Sequence, residues 1–224
     1  MDVEFKPMTS GEHIYQSLRA SILALEILPG QELKTEEWTE RFRVSRSPVR
    51  DAFMRLNKDG LVDVFPQRGT RVSLIDLRRV REERFLRKSL EDHAIVAFLQ
   101  KDCEDALKKM QGILKEQKHT EKSGDLPAFL RLDDAFHGQL FSAIEMDFCF
   151  DLIRERCVHY RRIRILTFKD PNVIPHIIAE HEALLNALKD RNVDLAASID
   201  RRHLSKLKQE QEQLLKQFPD YFLN

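Results

Sequence analysis

The sequence lacks the features that crosslink a chain through disulfides, anchor it in a membrane or direct its export. It has three cysteines among 224 residues, Cys103, Cys149 and Cys157, and their spacing matches no metal-binding motif. Scattered thiols in an odd number favour buried cysteines in a reducing cytoplasm over a disulfide framework. No apolar run approaches the roughly 20 residues that span a bilayer, and residues 1–7 lack the apolar core of a signal peptide. Neither a membrane protein nor an exported protein is expected.

An overall excess of one charge is also missing, because 37 lysines and arginines balance 37 aspartates and glutamates. The charges are unevenly distributed along the chain. Residues 41–71 carry eight basic side chains against three acidic ones, whereas the segment before them is acidic. Binding to phosphate requires a local basic surface rather than a basic protein. Residues 41–71 are therefore a candidate nucleic-acid site.

A predicted helix lies within this basic region. Ser45 or Ser47 can cap its N-terminus, and Pro48 fits its first turn. Arg46 and Arg50 lie four residues apart on one face, beside Ser47. Arginine pairs bidentately with guanine, and a helix N-terminus attracts phosphate. The pattern predicts a recognition helix that enters the DNA major groove.

A hairpin follows the recognition helix. Gly60 stands just past the helix end, residues 61–65 and 70–72 are strand-like, and Pro66-Gln67-Arg68-Gly69 forms a basic turn. Helix followed by basic hairpin is typical of a winged helix-turn-helix domain.

Two more helices are predicted before the recognition helix. One runs from His13 to Leu28 and ends at Pro29-Gly30. The other is capped by Thr35 and packs Trp38 inward.

These motifs resemble the DNA-binding domain of GntR-type transcription regulators. The resemblance is carried by Leu33, Val44-Ser45-Arg46-Ser47-Pro48-Val49-Arg50, Leu56, Gly60-Leu61-Val62 and Arg68-Gly69. It implies contacts to double-stranded DNA from Ser45, Arg46, Ser47, Arg50, Arg68 and Gly69. Relatives often carry a basic residue where Glu36 stands here, so we expect no phosphate contact at that position.

After Val72 the sequence reads as helix throughout. Amphipathic helices are predicted at 76–100, 102–120, 125–144, 147–168, 173–190 and 192–217. Such a series implies an antiparallel bundle, whose interior is a natural ligand site. We therefore expect a mostly α protein of two domains. Residues 1–75 form the winged helix-turn-helix domain, and residues 76–224 form an all-α bundle for effector binding and dimerisation.

Four residues of the second half are candidate metal ligands. Asp133 and His137 lie four apart on one predicted helix, and His181 and His203 lie on later helices. By themselves they are weak evidence, because a solvated aspartate beside a surface histidine is the commoner arrangement.

A second resemblance strengthens this reading. Asp133-x-x-Phe136-His137, Glu180-His181, Arg202-His203-Leu204 and Arg87-x-x-Leu90-Glu91 resemble the FCD domain, the effector domain of the FadR-like branch of the GntR family. It implies a divalent metal on Asp133, His137, His181 and His203, with small carboxylates completing the coordination. Where that family carries a Gly-Asn pair, this chain has Glu145-Met146-Asp147.

Three imidazoles and one carboxylate suit zinc, nickel, manganese or iron, and affinity favours zinc over manganese and iron. Arg87 is a candidate clamp for an effector carboxylate. The alternative role for Arg87 is a structural ion pair with Glu91, one turn away.

The leading interpretation is a cytoplasmic, metabolite-responsive transcription regulator rather than an enzyme. We expect a homodimer on an inverted-repeat operator, since one winged domain reads only a few base pairs. The alternative is a metal-dependent hydrolase with an accessory nucleic-acid-binding module, because an open metal site can activate water. The sequence offers no convincing general base, nucleophile or phosphate-binding glycine loop for that chemistry.

Overall fold

The computed structural model describes residues 9–205 and 207–223, which fall into two compact units. One unit holds the described residues up to Asp76 together with the segment from Asp220, and the other runs from Leu77 to Pro219. Residues 220–223 therefore group with the first unit, although they lie within the predicted second domain, 76–224. Helices predominate in the described chain, and its strands are few and short. The expected mostly α fold class is confirmed.

The first unit is a winged helix-turn-helix domain. Its elements are α1 (Ser10–Leu23), β1 (Glu32–Leu33), α2 (Thr35–Phe42), α3 (Arg46–Lys58), β2 (Val62–Phe65) and β3 (Gly69–Val72). The strands form an antiparallel sheet in the order β1-β3-β2, with Val62 opposite Val72 and Phe65 opposite Gly69. Strand β1 was not predicted, because two residues are too few to show an alternating pattern.

Helix α3 follows its prediction closely. Its buried face consists of Val49, Ala52, Phe53 and Leu56. Ser45 occupies the N-cap position, although its side chain makes no capping hydrogen bond. Gly60 follows the C-cap residue with φ 76°, a left-handed conformation that costs glycine little. On α2 the prediction was wrong by one residue: Lys34 is the N-cap and Thr35 is the first helical residue.

Helix α1 ends five residues before its predicted end. Leu25 has φ 58°, and the backbone N–H groups of Glu26 and Ile27 both donate to the Ser21 carbonyl. These bonds close a turn directly after the helix, ahead of Pro29. Leu28, the last residue of the predicted helix, is exposed, whereas Ile27 is buried. The apolar spacing continues past the turn, so the sequence pattern gives no sign of the break.

The segment from Asp220 to Leu223 completes the first unit. Ile75 and Phe222 form a parallel β-bridge, and both side chains are buried. The Ile75 N–H donates to the Tyr221 carbonyl at 2.8 Å, and the Leu223 N–H donates to the Ile75 carbonyl at 3.0 Å. Two residues so distant in sequence leave no local signal of their pairing.

The second unit is a helical bundle. Its helices are α4 (Leu77–Gln100), α5 (Glu104–Ser123), α6 (Leu126–Ser142), α7 (Asp147–Arg156), α8 (Val158–Thr167), α9 (Val173–Lys189), α10 (Val193–His203) and α11 (Leu207–Gln217). Two predicted helices, 147–168 and 192–217, are each divided in two. Cys157 divides the first because its ψ of 54° breaks the helical conformation. None of the described helices combines the length and apolarity needed to cross a membrane.

A buried glutamate joins α4 to α8. Glu83 Oε2 accepts a hydrogen bond from the Tyr160 N–H at 2.8 Å, in the first turn of α8. The carboxylate thereby satisfies a donor that the helix itself cannot pair. Burial raises the pKa of Glu83 to about 7, although the Tyr160 N–H opposes that shift.

Replacing Glu83 with Gln should change how stability depends on pH. The folded state favours the neutral acid, so the free energy of unfolding should fall as pH rises from the unfolded pKa of 4.5 to the folded value of about 7. That fall should be up to about 3 kcal/mol in the wild type and should be absent in Glu83→Gln. Urea denaturation between pH 4 and 8 measures both curves.

The control is Glu82→Gln, which removes an exposed carboxylate from the same helix. It should retain the wild-type pH dependence. Parallel curves for the wild type and Glu83→Gln would show that Glu83 does not titrate in this range.

Candidate functional site

The four candidate ligands lie together inside the helical unit. Asp133 and His137 come from α6, His181 from α9 and His203 from α10. One potential ligand atom from each residue lies within 4.8 Å of the others. The first three side chains are buried and His203 is partly buried. The helical spacing of Asp133 and His137 thus brings both to one point, where α9 and α10 add the remaining imidazoles.

Each imidazole is held through its Nδ1 atom. The pairs are His137 Nδ1 with Glu91 Oε2 at 2.7 Å, His181 Nδ1 with Gln117 Oε1 at 2.9 Å, and His203 Nδ1 with Glu180 Oε2 at 3.0 Å. Because a carboxylate or amide oxygen accepts, Nδ1 carries the proton, and Nε2 keeps its lone pair. Among the described atoms, the buried Nε2 atoms of His137 and His181 have no hydrogen-bond partner.

The protonation states suit metal binding. Burial lowers the pKa of His137, although Glu91 opposes the shift, and burial lowers the pKa of His181 well below its ordinary value. Both rings are therefore neutral near pH 7, which is the form that coordinates a cation. Outer acceptors on metal-bound histidines fix the ring orientation and raise its basicity.

Asp133 is the anionic member of the cluster. Its Oδ1 lies 3.7 Å from His181 Nε2, and its Oδ2 accepts a hydrogen bond from Arg164 Nη2. Burial alone would raise the pKa of Asp133, but the charge of Arg164 outweighs it and lowers the pKa. The carboxylate is ionised and is shared between the cluster centre and Arg164.

Arg87 is buried beside this cluster and is already paired. Its Nε donates to Glu91 Oε1 at 2.5 Å, which is the structural ion pair weighed as the alternative role. Its Nη2 atom is buried without a partner among the described residues. The guanidinium groups of Arg87 and Arg164 both lie 5.8 Å from the ring centre of Tyr160. Arg87 therefore retains one unsatisfied donor next to a second buried arginine.

Asp200 borders the other side of His137. Its Oδ1 lies 4.0 Å from His137 Nδ1. Burial and the charge of Glu91 raise the pKa of Asp200 well above its ordinary value. Asp200 therefore keeps its proton to a higher pH than an ordinary aspartate, which lessens its repulsion of Glu91.

Several of these residues were missed from the sequence. Gln117, Arg164 and Asp200 were not singled out, and Glu180 was named only as part of the motif around His181. The available signal was faint: Glu91 and Asp200 each stand at apolar core positions of a helix, next to Ala94 and Ile199. Charged residues on a buried face indicate a buried polar network, but they do not show which other residues belong to it.

The predicted DNA-contacting residues lie on the surface of the first unit. Ser45, Arg46, Ser47 and Arg50 line the N-terminal turns of α3, while Arg68 and Gly69 stand at the β2–β3 turn, and all six are exposed. Gly69 has φ 99°, which this tight turn requires and which favours glycine. Arg46 Nη2 lies 3.1 Å from Glu36 Oε1 on α2.

Comparison with known proteins covers both units. Residues 10–72 match the gntR family of bacterial regulatory proteins, and residues 84–206 match the FCD domain. The HTH-type transcriptional repressor RspR of Escherichia coli strain K12 is 28% identical over 211 residues, covering 94% of this chain and 92% of the repressor.

Further relatives agree with this comparison. An HTH-type transcriptional regulator of Streptomyces ambofaciens is 32% identical over 217 residues, covering 96% of this chain and 90% of its own length. The solved structure of E. coli McbR/YncC superposes with a TM-score of 0.76 at 19% identity, covering 95% of this chain and all of that one. The latter identity supports the fold alone.

Replacing Gln117 with Leu should weaken metal binding without removing a ligand. Loss of the acceptor frees the His181 ring to rotate, so zinc affinity should fall roughly 10- to 100-fold. The control is Gln111→Leu on the same helix, where the amide is exposed and pairs with Lys189. Competition with a chromophoric zinc chelator measures both constants. Equal affinities for the wild type and Gln117→Leu would contradict this role.

Proposed function

Because the chain belongs to the gntR family of bacterial regulatory proteins and carries an FCD domain, we propose that it is a metabolite-responsive homodimer with a metal-dependent effector site. It is a DNA-binding transcription regulator, and its relatives are regulators rather than enzymes. In this proposal, a divalent ion, most favourably zinc, is bound by Asp133, His137, His181 and His203. The effector is a small carboxylate, the operator is an inverted repeat, and the protein is located in the cytoplasm.

One observation carries the metal proposal. Three imidazoles each engage an acceptor through Nδ1, which leaves their Nε2 lone pairs available to an ion beside an ionised Asp133, and one potential ligand atom of each of the four residues lies within 4.8 Å of the others. Unpaired buried lone pairs that face one another are unfavourable unless an electrophile lies between them. Nitrogen and carboxylate donors suit zinc and its neighbours in the first transition row. Because the protein supplies only four ligands, a five- or six-coordinate ion keeps one or two open positions. An effector oxygen can occupy such a position.

The buried arginines support an anionic effector. Arg164 contacts Asp133, and Arg87 Nη2 has no partner among the described residues. A carboxylate bound to the ion would meet these N–H donors at short range, in a region of low dielectric constant. We therefore assign Arg164 to the effector site alongside Arg87. Their fixed packing against Tyr160 suits a small acid.

The recognition helix and the hairpin support the DNA assignment. The apolar face of α3 is buried, so its polar N-terminal turns with Arg46 and Arg50 are presented outward. In this arrangement, the two arginines read base edges in the major groove, and Ser45 and Ser47 reach phosphates. Arg68 and Gly69 at the turn contact the backbone or the minor groove.

An exposed apolar face supports dimerisation of the helical unit. Phe85 and Val96 lie eleven residues apart on the same side of α4, and Phe148 on neighbouring α7 is 79% exposed. Contacts at both ends, Cys157 Sγ with the Glu83 carbonyl at 3.4 Å and Lys101 with Glu145 at 3.9 Å, set the two helices antiparallel. Apolar surface of this kind is typical of a protein interface, and a second copy of the chain is the proposed occupant.

Replacing Phe148 with Asp should dissociate the dimer. A charge buried in an apolar interface is desolvated without a partner, which weakens association strongly. Multi-angle light scattering should give a dimer for the wild type and a monomer for Phe148→Asp. The control Leu28→Asp, an exposed apolar residue of the first unit, should remain dimeric. A monomeric wild type, or an unchanged dimer in the variant, would contradict the proposed interface.

The effector and the operator should be coupled through the metal site. Operator affinity of the wild type with zinc should change by roughly 5- to 150-fold when the matching small carboxylate is added. His181→Ala should bind zinc weakly and should lose this response. Fluorescence anisotropy on a labelled operator, with a panel of mono-, di- and tricarboxylates, measures the coupling.

The matched control is His119→Ala, which removes an exposed histidine on α5 and should leave the response intact. A wild-type protein that binds zinc at these four residues, yet has the same operator affinity under every condition, would assign the ion a structural role only.

A further inference from the structure

The recognition helix and the helix before it place opposite charges side by side. Arg46 begins α3, and its Nη2 lies 3.1 Å from Glu36 Oε1 in the first turn of α2. Both side chains are open to solvent, at 73% and 63% exposure. In the described part of the chain, no carboxylate lies within 4.0 Å of Arg50 or Arg68. Arg46 therefore differs from the other arginines of the proposed DNA face.

Stability does not account for this pair. Two long, solvent-exposed side chains gain little from an ion pair, because water screens the attraction and the chains lose rotamer freedom. The pair matters instead at the moment when DNA approaches. The DNA backbone carries roughly one negative charge per 1.7 Å of helix axis, and a nearby carboxylate is repelled by it.

The carboxylate changes which DNA atoms Arg46 can contact favourably. The Arg46–Glu36 pair carries no net charge, so its attraction to an anionic phosphate is weaker than that of an unpaired guanidinium. The remaining N–H donors of Arg46 still match O6 and N7 of guanine, which are neutral acceptors on a base edge. The balance therefore moves from phosphate, which carries no sequence information, to base.

We propose that Glu36 is a specificity-determining residue that positions Arg46 and directs it to a base edge rather than to phosphate. The inference rests on the proposed DNA-reading role of Arg46. It assigns Glu36 an effect on sequence choice without any direct contact to DNA.

Adjacent residues provide a matched control. Glu37 lies next to Glu36 on α2, its side chain is 62% exposed, and it pairs with Lys34 at 3.6 Å instead of with an arginine of α3. Glu36→Gln and Glu37→Gln therefore remove the same charge from the same helix turn. Only the first substitution removes the partner of Arg46.

The test uses the full-length protein and a duplex that the wild type selects from a random library, beside a scrambled duplex of equal length. Affinities are measured between 50 and 200 mM salt for the wild type, Glu36→Gln, Glu37→Gln, Arg46→Ala and the double variant. In Glu36→Gln, Arg46 becomes free to contact phosphate. Affinity for the scrambled duplex should rise roughly five- to tenfold, and the salt slope should steepen by about 0.9.

The remaining variants separate the explanations. In Glu36→Gln, the ratio of the affinities for the selected and scrambled duplexes should fall by a corresponding factor. In Glu37→Gln, this ratio and the affinity for the scrambled duplex should stay within about twofold of wild type. Adding Glu36→Gln to Arg46→Ala should have no further effect, since the partner is gone. Circular dichroism melts of all variants should coincide, because the changed side chains are exposed.

Three results would overturn the proposal. If Glu36→Gln and Glu37→Gln behave alike, the effect is one of general charge. If Glu36→Gln acts equally in the Arg46→Ala background, Glu36 contacts the DNA itself, for example a cytosine amino group. If Arg46→Ala binds the selected duplex as the wild type does, the proposed DNA-reading role of Arg46 fails as well, which distinguishes that failure from the first two.

Discussion

The helical unit depends on keeping charged and polar groups paired in a core that excludes water. Arg87, Glu91 and His137 form one continuous buried chain of hydrogen bonds, and Asp133 with Arg164 forms a second ion pair beside it. A buried charge that loses its partner is strongly destabilising, so each group holds the next at a fixed position. Because the members come from α4, α6 and α8, the same pairs hold those three helices in register. The buried ion pairs therefore constrain both the positions of the charges and the packing of the three helices.

The same constraint leaves the cluster centre unsatisfied. Glu91, Gln117 and Glu180 each hold one imidazole through its Nδ1 atom. The buried Nε2 atoms of His137 and His181 have no hydrogen-bond partner among the described residues. A cation that binds there relieves an existing cost and requires little rearrangement. Binding to a preorganised site stabilises the folded state by mass action, so occupancy and stability of the bundle should rise together.

Local chemistry explains which features could be predicted from the sequence. Helix α3, its following glycine and the basic hairpin follow from residues within a few positions of one another, and the Asp133–His137 spacing defines a shared face. The ends of α1 and α7 were missed because apolar periodicity continues through both breaks. Gln117, Glu180 and Arg164 could not be assigned, because their roles depend on how distant helices align. The family resemblance grouped the four candidate ligands. It did not identify the oxygens that accept hydrogen bonds from the Nδ1 atoms of the histidines.

The β-bridge between Ile75 and Phe222 means that the DNA-reading unit is not one continuous stretch of chain. A fragment cut after Asp76 would lack the residues that cover Ile75 and accept its N–H. Topologically the bundle is an insertion within a smaller domain, entered after Asp76 and left at Asp220. A minimal reader should therefore be made by replacing the insertion with a connector that keeps residues 220–223 in the same chain.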